Sequence, residues 1–133
     1  MNDTPNWLDD VVVVNENSDP KIAGDVQIYR SEGDVGRQLE HWYVGDVEHL
    51  ALTGTGQKAT LGLRDKLVVV ERVEPFLAGP AMLNAWLTAT AQHLLSTRAE
   101  RARKGKAELG ALEAQGVLPK STEGLIAYIG FMK

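Results

Sequence analysis

Phosphate binding, metal binding and nucleophilic catalysis each demand particular side chains at particular spacings, and this 133-residue chain holds fragments of all three patterns. Gly54-Thr55-Gly56-Gln57-Lys58 has the residue types of a phosphate loop. Such a loop needs Gly-x-x-x-x-Gly-Lys-Ser/Thr, so that successive backbone N–H groups surround the anion. The spacing here differs, and with strand-like runs on both sides the segment reads as a hairpin turn in which glycine supplies positive φ. His41, Glu48 and His49 could offer a metal two nitrogens and a carboxylate, but neither H-x-x-x-H nor H-E-x-x-H occurs, and His93 is remote in sequence. A partly exposed polar edge is the preferred reading of that trio. None of Ser18, Ser31, Ser96 and Ser121 lies in G-x-S-x-G, and Ser31 and Ser121 stand where helix caps are expected. There is no cysteine to act as a thiol nucleophile. Surface carboxylates are the default in an acidic protein, so their abundance assigns no general acid or base. The chain therefore reads as a non-enzyme, with no catalytic residue, metal site or cofactor assigned.

Charge is sorted along the chain. The first fifty residues carry Asp3, Asp9, Asp10, Glu16, Asp19, Asp25, Glu32, Asp34, Glu40, Asp46 and Glu48 against Lys21, Arg30 and Arg37, a net of −8. The rest is cationic by four, which returns the overall −4. A segregated field steers association towards partners of opposite sign and says little about fold. The cationic cluster Arg98, Arg101, Arg103, Lys104 and Lys106 is where nucleic acid would have to bind, since released counterions reward clustered Arg and Lys. A pI near 5.3 and the lack of interleaved aromatic residues argue instead for a solvated helix end, and no nucleic-acid partner is expected. Trp42 and Tyr43, beside Glu40, Asp46 and Glu48, form the constellation most suited to a protein partner. Aromatic side chains are enriched at interface hot spots, and the carboxylates could pair with a partner's Arg or Lys. Trp42 itself is expected in the core; Glu40, Tyr43, Asp46 and Glu48 are the candidate partner-binding residues.

Composition places the chain among ordinary globular proteins, at 44% hydrophobic and 24% charged. No apolar run approaches the roughly 20 residues of a spanning helix, so no membrane association is expected. The acidic, polar opening MNDTPNWLDD is unlike a secretory signal, and with no cysteine present a cytoplasmic location is the expectation.

The elements that would position these residues follow from periodicity. Trp7 to Val14 ends in four valines and suits a strand buried on both faces; Asn15 to Pro20 reads as a loop, and Asp25 to Arg30 as a half-buried strand. Ser31 caps a short helix with Val35, Leu39 and Trp42 along one stripe. His49 to Thr53, Lys58 to Arg64 and Lys66 to Val73 make an antiparallel meander, with Leu61 and Leu63 facing inwards. After Gly79-Pro80 the period becomes helical: Met82, Leu83, Trp86, Leu87, Thr90, Ala91, Leu94 and Leu95 form an apolar stripe. Gly105 and Gly110 leave open whether residues 98 to 115 are one helix or two, and Ser121 opens a short C-terminal helix. The expected architecture is one α+β domain over residues 1 to 133. An antiparallel sheet of about four to five strands fills the N-terminal half, packed by a long helix and shorter C-terminal helices, with the sheet on one side and the helices on the other.

The stretch IYRSEGDVGRQLEHWYVGDVEHLALTGTGQKATLGL, Ile28 to Leu63, resembles small bacterial immunity-type proteins that neutralise polymorphic toxins. The resembling pattern is a strand, a short helix ending in Leu-Glu, a Val-containing connection and a hairpin with an acidic residue, a turn and Gly before the return strand. Leu39-Glu40, Val44, Glu48 and Gly56 fill those positions, Thr53 stands where the family tends to place Asp, and Trp42-Tyr43 replaces a more polar connection. The resemblance implies a non-enzymatic cytoplasmic inhibitor whose partner is a protein, a basic toxin domain, bound through an acidic face. Two other readings stand beside it: a small-molecule-binding or enzymatic domain with a pocket between sheet and helices, and a subunit that forms a homo-oligomer through an apolar sheet face or the C-terminal segment.

Overall fold

A computed structural model describes residues 6–16, 26–40, 42–46, 49–106 and 108–132, with backbone alone at Asn6 and Asp46. The valine run decides the architecture. Val11 and Val13 point to one side of a strand while Val12 and Val14 point to the other, and all four are at most 4% exposed. A strand so apolar on both faces has to be central and covered twice. It is strand β1 (Val12–Asn15), which lies between β2 (Val26–Tyr29) and β3 (Leu50–Thr53) in an antiparallel sheet of order β2-β1-β3-β4-β5. Strands β4 (Lys58–Arg64) and β5 (Leu67–Glu74) complete the meander. Trp7 to Val14 is thus not one strand: residues Asn6–Asp9 form a 3-10 turn that leads into β1.

Five further helices are present among the described residues: α1 (Glu32–Gln38), α2 (Tyr43–Asp46), α3 (Gly79–Arg103), α4 (Ala111–Ala114) and α5 (Thr122–Ile129). They cover both faces of the sheet. Leu83, Trp86, Leu87 and Ala91 of α3, with Leu125 and Ile126 of α5, pack on Val11, Val13, Ile28 and Leu52. On the opposite face Val35 and Tyr43 pack on Val12, Val14, Tyr29, Ala51, Ala59, Leu61 and Val68. The one-sided arrangement of sheet and helices expected above is therefore corrected: the α1–α2 connection crosses the second face, where the other half of the valine run needs cover. Each large side chain buried in these two cores contributes roughly 1.5–3 kcal/mol of transfer free energy.

Local signals set the boundaries. Ser31 and Ser121 act as N-caps, accepting from Asp34 N at 3.4 Å and Gly124 N at 3.0 Å. α3 stops at Arg103, because Gly105 takes φ +74°, and α4 follows as a separate turn. Asp65 and Lys66 both have positive φ and close a two-residue turn between Arg64 and Leu67. A register shift at Thr60/Leu61 breaks the regular alternation of the last hairpin. Leu61 is buried at 6%, but Leu63, expected inside, is 48% exposed beside Leu67 at 55%. The far end of this hairpin extends past the helices that would cover it.

Both sheet edges are partly occupied. Along β5, the Glu32 carboxylate accepts from the outward Val70 N–H at 2.7 Å. One turn later Gly36 brings α1 so close that an added Cβ would stand 3.0 Å from the Val68 carbonyl. Along β2, Met132 N–H donates to the Ile28 carbonyl at 2.7 Å, and Gln38 Nε2 donates to the Met132 carbonyl at 3.1 Å. These contacts engage one N–H of β5 and one C=O of β2 and so cover each edge in part.

The two glycines of α1 separate helix propensity from edge packing. Gly33 has only the Ser31 hydroxyl near an added Cβ, so Gly33→Ala raises stability by roughly 0.5–1 kcal/mol through helix propensity. Gly36→Leu instead lifts α1 from β5 and costs about 2 kcal/mol. Urea denaturation of the two variants reads these opposite signs.

Candidate functional site

Six of the eleven N-terminal carboxylates have described side chains: Asp9, Asp10, Glu16, Glu32, Asp34 and Glu40. Three of them meet at one place. The 3-10 turn presents Asp9 and Asp10, the N-terminus of α1 presents Ser31 and Glu32, and together they wall a cleft of about 410 Å³. Its apolar floor is Val12, Val70 and Val73, and Thr53 closes one end. Asp9, Asp10 and Glu32 are all exposed, so the cleft is a solvated groove and its charges are felt at a distance. A second cleft of about 250 Å³ adjoins it, lined by Trp7, Asp10, Val11, Arg30 and Phe131. Asp10 lines both.

Thr53 links the turn to the groove. Its hydroxyl accepts from Thr55 N at 3.3 Å and Gln57 N at 3.1 Å, the work an Asp side chain commonly does before a turn. The turn itself is the hairpin expected at Gly54 to Gly56, with Gly56 at φ +84°. The N-terminus of α3 lies against it: a side chain at Gly79 would run into the Gly56 carbonyl, and one at Gly56 into Pro80. The first turn of α3 is thus filled by the chain's own backbone.

Of the partner-binding candidates, Glu40 and Tyr43 have described side chains. Glu40 is exposed; Glu48 and the Asp46 side chain lie outside the described residues, as do His41 and Ser18. Trp42 and Tyr43 exchange the places expected for them. Trp42 is 49% exposed, because α1 ends at Gln38 and the stripe of Val35 and Leu39 does not continue through it. Tyr43 is 5% exposed, in the core with Val35. Its hydroxyl donates to Glu16 at 3.0 Å and its ring lies 5.2 Å from that of His49. Glu16 also accepts from Gln27 Nε2 at 3.1 Å, and Gln27 accepts from the Tyr29 hydroxyl. Glu16 is thus held within a tyrosine–glutamine network. Among the described residues no group of three or more His, Asp or Glu side chains is placed to hold a metal ion.

The basic run does not neutralise the acidic half among the described residues. Arg103 and Lys104 pair with Glu100 at 3.9 and 3.2 Å, and Arg98 pairs with Glu113 at 3.3 Å. Glu113 joins three helices. It accepts from the Tyr128 hydroxyl at 2.7 Å and from Gly110 N at 3.3 Å, while the Arg98 guanidinium lies 4.7 Å over the Tyr128 ring. The Tyr128 hydroxyl, with Gly110 and Arg98 adding to it, holds the Glu113 carboxyl below its ordinary value against the opposing effect of desolvation. Asp34 pairs locally with Arg37.

Comparison of the chain with family models, curated proteins and solved structures finds no match. Among the described residues no helix is long and apolar enough to cross a membrane.

The Tyr29 network has a pH signature. Burial, and then the charge of Glu16, push the Tyr29 phenol up to about 12 from 10.0. A raised folded-state value stabilises the fold fully below the unfolded value and loses that contribution as pH climbs through the folded one. Stability falls between pH 10 and about 12 as the unfolded chain's phenol ionises first. In denaturant titrations across that window, Tyr29→Phe removes this part of the decline.

Proposed function

We propose that this chain is a non-enzymatic binding protein of the immunity type, which occludes a basic protein partner through the acidic groove at the N-terminus of α1. The observation that carries the reading is the convergence of Asp9, Asp10 and Glu32 on one exposed groove with an apolar floor. Their charge would draw in a cationic domain quickly and repel acidic proteins, and the valines beneath supply area to desolvate after contact. Glu40 and Trp42, exposed beyond the other end of α1, are further candidate contacts outside the groove's lining. Tyr43, being buried, contributes by holding the α1–α2 connection in place. The partner is a toxin domain, and the inhibitor acts in the cytoplasm by covering that domain's working surface.

The test uses the protein encoded beside this chain, purified and mixed in stopped flow. Asp9→Asn, Asp10→Asn and Glu32→Gln together remove charge while keeping the Glu32 acceptor for Val70. Association slows by about tenfold at low salt, and the difference shrinks as salt screens the groove. Co-expression also restores growth of cells that carry the neighbouring protein. Association indifferent both to salt and to the triple neutralisation, with no protection of growth, refutes the reading.

A further inference from the structure

We propose that the slot between Trp7 and Asp10 receives one arginine side chain of the partner, its guanidinium lying on the indole and pairing with the Asp10 carboxylate. The inference deepens the acidic-groove reading and rests on it.

Trp7 is the element of this slot least explained by packing. It is 38% exposed, and its ring meets Phe131 edge-on, with centroids 6.1 Å apart at 75°. That contact fixes the ring without covering both of its faces. Asp10 stands beside it, exposed and in no ion pair among the described residues, although Arg30 lines the same slot. Arg30 is engaged within the slot by the other ring: its guanidinium lies 5.0 Å over Phe131. Asp9 and Glu32 line the groove that adjoins the slot through Asp10, so the carboxylates of the two clefts outnumber Arg30.

The chain itself shows the arrangement complete in another place. Arg98 stacks on Tyr128 while pairing with Glu113, so that aromatic ring, carboxylate and guanidinium satisfy one another. At Trp7 and Asp10 the ring and the carboxylate recur, and among the described residues no cation of the chain stacks on the indole. Tryptophan is the strongest cation–π partner of the three aromatic residues. Arginine fits better than lysine, because its planar fork stacks and pairs at the same time. The slot, at about 250 Å³, has room for one such side chain and adjoins the acidic groove through Asp10. An arginine there would anchor a partner whose remaining cations lie along Asp9 and Glu32.

The test is nuclear magnetic resonance of the full chain at low salt, with the Trp7 indole N–H assigned through Trp7→Phe. The probes are hexa-arginine, hexa-lysine and hexa-citrulline peptides. The Trp7 signal shifts and saturates with hexa-arginine, which binds about fivefold more tightly than hexa-lysine, while hexa-citrulline has no effect. Asp10→Asn abolishes the arginine preference and Glu108→Gln, at an exposed carboxylate outside both clefts, preserves it. Equal affinities for the two cationic peptides, or binding that leaves the Trp7 signal in place, overturn the slot while the acidic groove stands. Failure of both cationic peptides to bind overturns both.

Discussion

Four consecutive valines at the start of β1 impose the constraint from which the rest of the architecture follows. A pleated strand sends alternate side chains to opposite faces, so Val11 and Val13 cannot share a core with Val12 and Val14. Leaving either pair in water forfeits several kcal/mol of burial, a large part of the net stability of any small domain. Two layers of cover are therefore required, and the chain supplies them from separate stretches. The long α3 with α5 serves one face; the short α1–α2 connection, which carries the chain from β2 across the sheet to β3, serves the other. Small residues, Ala51 and Ala59, lie on this second face beneath the short helices.

The groove is a consequence of how the second layer meets the sheet. α1 must lie close enough to β5 to cover its edge, which fixes the helix start, and with it Glu32, beside Val70 and Val73. The 3-10 turn before β1 enters at the same end of the sheet and brings Asp9 and Asp10 opposite. Carboxylates tolerate this position. Glu32 in the first turn of α1 gains from the positive end of the helix and from an edge N–H, and the two aspartates remain hydrated. The acidic surface is thus compatible with stability instead of being maintained against it.

The parts legible in the sequence were those set by local chemistry. Ser31 and Ser121 announce helix starts through a hydroxyl three residues before a backbone N–H, and the period of two from His49 to Val73 announces the meander, since each depends only on neighbours along the chain. Trp42 was illegible for the converse reason. Its spacing from Leu39 continues the apolar stripe, but the helix ends before it, and the adjacent Tyr43 takes the core position by satisfying its hydroxyl on Glu16, twenty-seven positions away in sequence. Leu63 misleads for another reason: it keeps the alternation of Leu61 but stands beside the turn at Asp65 and Lys66, at the end of the hairpin, where it stays half exposed. The groove was hidden because Asp9, Asp10 and Glu32 are brought together by a sheet pairing between β1 and β2 that places Val12 opposite Tyr29, and only the excess of carboxylates hinted at it.

The sorting of charge and the division into two cores bear on each other through the ion pairs. Had the basic end of α3 folded back on the N-terminal carboxylates, the two halves would have cancelled and the surface would carry no directional field. Instead Glu100 and Glu113, carried within the C-terminal half itself, take up Arg98, Arg103 and Lys104 where α3, α4 and α5 converge. The Glu100 pairs are local to the end of α3, whereas Glu113, holding Arg98 and Tyr128, ties α4 to α3 and α5 while it remains partly hydrated. Asp9, Asp10 and Glu32 take no part in that pairing, so the groove keeps its negative charge.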